Sequence, residues 1–302
     1  MMLINCYYYA PHNHSMLLKH LDHDLAHIAE LGAHAVSLCV QESHMAQWHR
    51  PRLERVIQRA KLHGLQVHAV PNRWCGLLAG WCDGFNEWTV AHPQTLLPDY
   101  PRHHGFSDPA HPAVGEHYRQ TLDEMFDLFD FDGLIWDEPR PAIKPVMQFL
   151  DQMTAYAKSL KPGLVTSIFA EAGNLNLAPV FAELQHIDYL GADGHLRSND
   201  HLMHRMKNTI FTTHAAFEPV LKAAGKQTMY LIEAQRHRDE DLGNYLLNLE
   251  CAFTLPMDQL MFYYSAHEML MAENEERFNE ATWRMVRQVA DRAAVSVSRI
   301  ST

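Results

Sequence analysis

Eight short apolar runs alternate with amphipathic stretches from one end of the chain to the other, and this alternation restricts the fold most. The runs are Leu3 to Tyr9, Ala35 to Val40, Leu65 to Val70, Asp132 to Trp136, Leu164 to Phe169, Ile187 to Gly191, Thr228 to Ile232 and Gln259 to Tyr264. Helical periodicity follows each: about Ser15 to Leu31, Arg52 to His63, Ala113 to Phe129, Lys144 to Leu160, Ala178 to Leu184, Asp200 to Ala224, Asp239 to Phe253 and Arg277 to Ala293. Ser15 reads as a helix N-cap, and Gly32, Gly64 and Gly225 read as stops. Strands that are apolar on both faces imply parallel pairing under a cover of helices. Eight such units in series predict a single-domain α/β chain, residues 1–302, closed into a (β/α)8 TIM barrel. An open doubly wound sheet is the competing arrangement. Its dinucleotide form lacks the Gly-x-Gly-x-x-Gly turn after strand one.

A chain of 302 residues with 47% hydrophobic content buries a large core without staples. The formal net charge of −11 disfavours nucleic acid as a partner, because phosphate contacts need Lys and Arg. No apolar stretch reaches the length of a membrane span, and no secretory leader precedes strand one, so a cytoplasmic location is expected. Cys6, Cys39 and Cys251 lie in apolar runs, as buried free thiols do. Cys75 and Cys82 share a loop without the spacing of a metal or redox motif. Oligomeric state is not legible.

In such barrels chemistry gathers on the loops after the C-terminal ends of the strands. Polar residues stand there: Tyr9, His12 and Asn13 after strand one, Glu42 and His44 after strand two, and Asn72, Arg73 and Trp74 after strand three. Strand four runs into Asp137-Glu138-Pro139-Arg140, strand five into Glu171, strand six into Asp193 and His195, and strand seven into Glu233. Strand eight supplies Tyr263 and Tyr264, then His267. Two carboxylates sharing a barrel mouth push their pKa values apart and make an acid and a base.

Glu138 after strand four and Glu233 after strand seven resemble the carboxylate pair of clan A retaining glycoside hydrolases, the 4/7 barrels. The resemblance implies Glu138 as general acid/base and Glu233 as nucleophile. The chain has Asp137 where that clan usually has Asn, and Tyr263-Tyr264 where it often has Trp. The run Asp132-Gly133-Leu134-Ile135-Trp136-Asp137 also resembles strand four of other glycosidase-like barrels, and that comparison selects Asp137. Strand alternation sets Asp137 and Glu138 on opposite faces, so one of them leads, and Glu138 is favoured. Asn86-Glu87 lies mid-loop and is a decoy.

The connection after strand three, from Pro71 to Pro112, is about 40 residues long and unusual for a compact domain. It carries Trp74, Trp81 and Trp88, whose rings suit the C–H faces of sugars or, alternatively, a small core of the loop's own. The expected function is a glycoside hydrolase acting on a small glycoside or oligosaccharide, retaining, with no cofactor and no metal. The expected substrate contacts are Tyr9, His12, Asn72, Arg73, Trp74, Trp81, Trp88, Asp193, His195, Tyr263, Tyr264 and His267. The 22 histidines sustain a rival, a divalent-metal sugar isomerase or epimerase with Glu138, Asp193, His195 and Glu233 as ligands. A non-catalytic carbohydrate-binding barrel is the third class.

Overall fold

A computed structural model describes residues 3–8, 18–79, 86–195, 210–233 and 250–264, with 247, 284, 287 and 288. The strands are β1 (Leu3–Tyr8), β2 (Ala35–Val40), β3 (Gln66–Pro71), β4 (Gly133–Asp137), β5 (Val165–Ala170), β6 (Tyr189–His195), β7 (Gln227–Glu233) and β8 (Gln259–Tyr264). They pair in chain order, all parallel, and β8 closes onto β1. The helices are α1 (Leu18–Glu30), α2 (Arg50–Leu62), α3 (Glu87–Ala91), α4 (Pro112–Leu128), α5 (Lys144–Leu160), α6 (Ala178–Glu183) and α7 (Ile210–Ala223). The expected barrel is therefore the observed one. No helix among the described residues is long and apolar enough to cross a membrane.

Most boundaries fall within two residues of expectation, but β6 runs on to His195. Asp193, Gly194 and His195 continue the ladder opposite Leu231, Ile232 and Glu233. Backbone pairing, not hydropathy, decides where a strand ends, so the polar residues expected after β6 stand within it. The helix expected from Asp200 is described from Ile210 onward. Those expected near 239–253 and 277–293 are helical at 247, 250–252, 284, 287 and 288, with Phe253 already in a turn. Ser15 lies outside the described residues. Cys6, Cys39 and Cys75 are buried free thiols, whereas Cys251 is exposed, which corrects the expectation. The one helical step from Cys251 to buried Ala252 turns the thiol away from the barrel. Cys82 lies outside the described residues.

One face of each strand packs on the helices through Cys6, Leu38, Val67, Leu134, Trp136, Ile168, Leu190, Tyr230 and Phe262. The other face fills the barrel in layers. The middle layer is mainly apolar: Tyr7, Cys39, Val70, Ile135, Phe169, Met229 and Met261. Beneath it lies a polar floor. Ser37 Oγ donates to Asn5 Oδ1 at 2.8 Å, Asn5 Nδ2 meets His68 Nδ1 at 3.1 Å, and Ser167 Oγ donates to Gln259 Oε1 at 3.0 Å. The bonds from β1 to β3 and from β5 to β8 join strands that are not neighbours, so they cross the lumen.

At the opposite end from the mouth the strands are tied in pairs by one repeated device. The residue before each even strand accepts a backbone N–H from the preceding odd strand. His34 Nδ1 accepts from Ile4, and carboxylates of Asp132, Asp188 and Asp258 accept from Val67, Thr166 and Thr228, at 2.7 to 3.1 Å. Lys61, Lys158 and Lys222 pair with the three aspartates. The loops at the other end can thus vary while the strand starts stay registered.

Gly191 stands opposite Met229 in the β6–β7 ladder, where a Cβ would come within 1.7 Å of the Met229 carbonyl oxygen. At Gly64, φ is +76° and nothing lies within 4 Å of an added Cβ. Gly191→Ala must displace backbone, so we expect it to cost about 3 kcal/mol or more. Gly64→Ala should cost only the left-handed penalty, about 1–2 kcal/mol. Denaturant unfolding of the two variants checks the ranking; equal losses would contradict the close approach.

Candidate active site

The mouth of the barrel is acidic, and its acids come from consecutive strands. Asp137 ends β4 and is 9% exposed. Its Oδ2 accepts a 2.7 Å hydrogen bond from the Tyr7 hydroxyl, which reaches across from β1 and also lies 3.4 Å from Cys39 Sγ. Burial and the Asp137 charge push the Tyr7 phenol well above its usual range, so it stays a donor.

Glu138 follows with φ +38°, a left-handed conformation rare for a residue with a side chain. Strict alternation had set it on the face opposite Asp137. The strand ends at Asp137, and the left-handed residue breaks the alternation, so both carboxylates join one cluster. That corrects the opposite-face expectation. The Glu138 carboxyl is pushed up to about 7, first by burial and next by Asp137, with Glu171 adding to the rise. Arg140 opposes, its Nη2 donating to Glu138 Oε2 at 3.0 Å, and a hydrogen bond with Asp193 acts in the same direction as Arg140. Asp193 itself is 2% exposed on β6. The arrangement is a largely buried carboxylic acid, its side chain 17% exposed, that holds its proton to near neutral pH beside groups that stabilise its anion once formed.

Beside this cluster lies a cleft of about 580 Å³, lined by Arg73, His103, His104, Phe106, Pro139, Arg140, Pro141, Ala142, Glu171 and Asn174. Its outer wall is the long connection after β3, which folds on itself. Arg73 takes φ +59°, and its Nη2 donates to the His104 carbonyl at 3.1 Å. Ser107 N–H donates to the Cys75 carbonyl, and Gly76 packs so tightly on Gly105 that a Cβ there would lie 1.9 Å from its carbonyl oxygen. Asn72 is 3% exposed, with Nδ2 on Cys39 Sγ at 3.7 Å.

Of the two roles open to the tryptophans of this connection, Trp74 and Trp88 take the second, a core of the loop's own. Trp74 is the more deeply buried. It is 1% exposed, packs edge-on to Tyr118, and its Nε1 donates to the Val40 carbonyl at 3.0 Å. Trp88 is stacked on His92 at 4.5 Å and on His117 at 4.6 Å, so both neighbours already use its π-faces. These two rings hold the wall together, and neither offers a free face to a sugar. Asn86-Glu87 is a helix start: Asn86 Oδ1 accepts from Thr89 N–H at 2.7 Å and caps α3.

Glu233 and His195 are the last residues of β7 and β6 and are register partners; Tyr263 and Tyr264 pair with Tyr7 and Tyr8 in the closing ladder. Their backbones are described, their side chains are not. Tyr9, His12, Trp81 and His267 lie outside the described residues. The sequence reading did not single out Tyr7, which strand parity would have found, since it shares the lumen repeat with Asn5. Glu171 and Arg140 were read at the strand ends without being assigned a role.

No protein-family model matches the chain, and no curated protein matches its sequence. Solved structures do match in shape. An endo-β-1,4-mannanase of Thermotoga petrophila is similar at TM-score 0.64 and 13% identity, over 96% of this chain and 76% of that one. A GH5_18 structure from Streptomyces cattleya in complex with GlcNAc matches at TM-score 0.62 and 14% identity, over 96% and 80%. A β-galactosidase of Marinomonas ef1 matches at TM-score 0.64 and 12% identity, over 100% and 60%. At this identity the likeness shows a shared barrel.

A carboxyl whose pKa rises from an unfolded value near 4.5 to about 7 in the fold makes the folded state the better proton binder between those values. Stability contributed by Glu138 is therefore lost as pH rises from about 4.5 to about 7, by up to about 3 kcal/mol. Glu138→Gln removes the titration. The variant should melt above the wild type at pH 8, with the gain shrinking toward pH 5. Melting curves across that range check the sign; a gain independent of pH would contradict the buried-acid assignment.

Proposed function

We propose that the protein is a glycoside hydrolase that acts on a small glycoside or oligosaccharide with retention, Glu138 serving as general acid/base and Glu233 as nucleophile. The observation that carries this reading is the largely buried Glu138 carboxyl, pushed up to about 7 beside a cleft. A leaving alkoxide needs a proton from an acid that is still protonated near the working pH. Burial, Asp137 and Glu171 keep the proton on Glu138; after its transfer, Arg140 at 3.0 Å stabilises the carboxylate, which then takes a proton from the incoming water. Glu233 ends β7, two residues beyond Leu231, which belongs to the lumen cluster with Met229. Retention asks for carboxyls about 5–5.5 Å apart, inversion for about 6.5–9.5 Å.

A second reading has Asp137 as the leading carboxylate of strand four. It is favoured by the 2.7 Å bond from Tyr7, which stabilises an ionised, oriented anion in the mouth. Against the metal-dependent isomerase stands Arg140, whose guanidinium already balances Glu138.

Aryl glycosides with good and poor leaving groups separate these readings. Glu233→Gln should abolish turnover of both. Glu138→Gln should cut kcat by about 10²–10⁴-fold on poor leaving groups and far less on activated ones. Equal losses on both would overturn the acid role. A deeper loss in Asp137→Asn than in Glu138→Gln would pass the lead to Asp137. No turnover of any glycoside by the wild type would leave the carbohydrate-binding reading.

A further inference from the structure

On the far side of the cleft wall, three donors of different chemistry converge from three separate segments. Glu42 opens the 3₁₀ turn Glu42–Met45 after β2, Cys75 lies in the 3₁₀ turn Trp74–Gly76 after β3, and His117 sits on α4. One carboxylate oxygen, the sulfur and one imidazole nitrogen all lie within 4.8 Å of one another. Among the described residues this is the one such grouping of three, and none of its members lines the cleft beside Glu138.

We propose that Glu42, Cys75 and His117 form a binding site for a divalent transition-metal cation of the zinc class. Thiolate and imidazole together select such a cation over calcium or magnesium, which prefer oxygen alone. The spacing fits. Zinc bonds of about 2.0 Å to nitrogen and oxygen at a tetrahedral angle put those atoms about 3.3 Å apart. His117 Nε2 and Glu42 Oε1 are 3.2 Å apart. A sulfur donor belongs about 3.5 Å from each, so from within 4.8 Å Cys75 needs to close by about 1.3 Å at most.

The groups around the donors are those that hold ligands in place. Asn86 Nδ2 donates to Glu42 Oε1 at 3.2 Å and to the Arg73 carbonyl at 3.0 Å. Trp88 stacks on His117 with an interplanar angle of 13°, fixing the ring. Cys75 is buried, while the Glu42 and His117 side chains are 22% and 21% exposed, so the cation would be reached from solvent and would keep a water as fourth ligand. Binding replaces the thiol proton of Cys75, which leaves to solvent, and the Nε2 proton through which His117 meets Glu42, which moves to Nδ1, with the metal bonds. The bound cation ties the β2 and β3 connections to α4 and so stiffens the wall that carries Arg73 and His104.

The test uses the full chain and does not depend on the hydrolase reading. Chelator-stripped protein is titrated with Zn²⁺ and, separately, with Co²⁺. One equivalent should bind, the melting temperature should rise, and the Co²⁺ form should show a thiolate-to-cobalt charge-transfer band. Cys75→Ser should lose the band, and His117→Gln should weaken binding by roughly 10-fold or more. The band reports sulfur, which separates this site from weak binding by surface histidines. Absence of stoichiometric binding, binding without the band, or a band that survives Cys75→Ser overturns the proposal. If Cys75→Ser does not fold, His117→Gln decides: weakened binding supports the site, and unchanged affinity overturns it.

Discussion

The seam between β1 and β8 is the constraint on which the site depends. Six consecutive register pairs, from Leu3↔Gln259 to Tyr8↔Tyr264, turn an eight-stranded sheet into a closed wall. Once it is closed, the two-residue alternation of every strand sorts side chains into an outer shell and a lumen. Tyr7 then faces Asp137 although 130 residues separate them in the chain. An open sheet would leave those two strands three places apart with nothing between them to cross.

The lumen changes character along its length for a physical reason. Low in the barrel, buried polar groups must find each other, and Asn5, Ser37 and His68 do so. The mainly apolar middle layer walls that floor off from the mouth. Acids stand above it, where the charges of Asp137 and Glu171 disfavour that of Glu138, while Arg140 and a hydrogen bond with Asp193 favour it. The three non-glycine residues with positive φ among those described, Arg73, Cys75 and Glu138, all follow β3 or β4 at this end. Left-handed backbone costs of order 1–3 kcal/mol at such residues. Here it aims side chains that regular strand geometry would send elsewhere. Strain and buried charge are thus concentrated at one rim, while the Asp-to-N–H ties hold the other.

What the sequence disclosed follows the same division. Strands and barrel were legible because apolar runs of regular spacing are a property of many residues, and an error of one or two positions changes nothing. Asp137 and Glu138 were legible as strand-end acids, yet their relation was not. A single φ of +38° moves Glu138 to the same side as Asp137, and no periodicity encodes it. The extent of β6 was hidden for a related reason: Asp193 and His195 are polar, but the ladder to β7 includes them. Cys251 read as buried because its neighbours are apolar, whereas helical rotation makes it exposed.

The long connection after β3 shows how aromatic composition misleads about role. Trp74 and Trp88 are the rings a sugar-binding wall would be expected to offer, and both are committed inside it, one to Val40 and Tyr118 and the other to two histidines. A connection this long must bury something of its own to stay ordered against the entropy of its many residues. Its tryptophans are the largest apolar surfaces available for that. The face turned to the cleft is left to Arg73, His103, His104 and Phe106. Among the described residues, this side of the cleft is therefore mainly polar, with Phe106 as its one aromatic ring apart from the histidines. Its geometry derives from the packing behind it, because Arg73 is held at the His104 carbonyl only while the wall beneath keeps its shape.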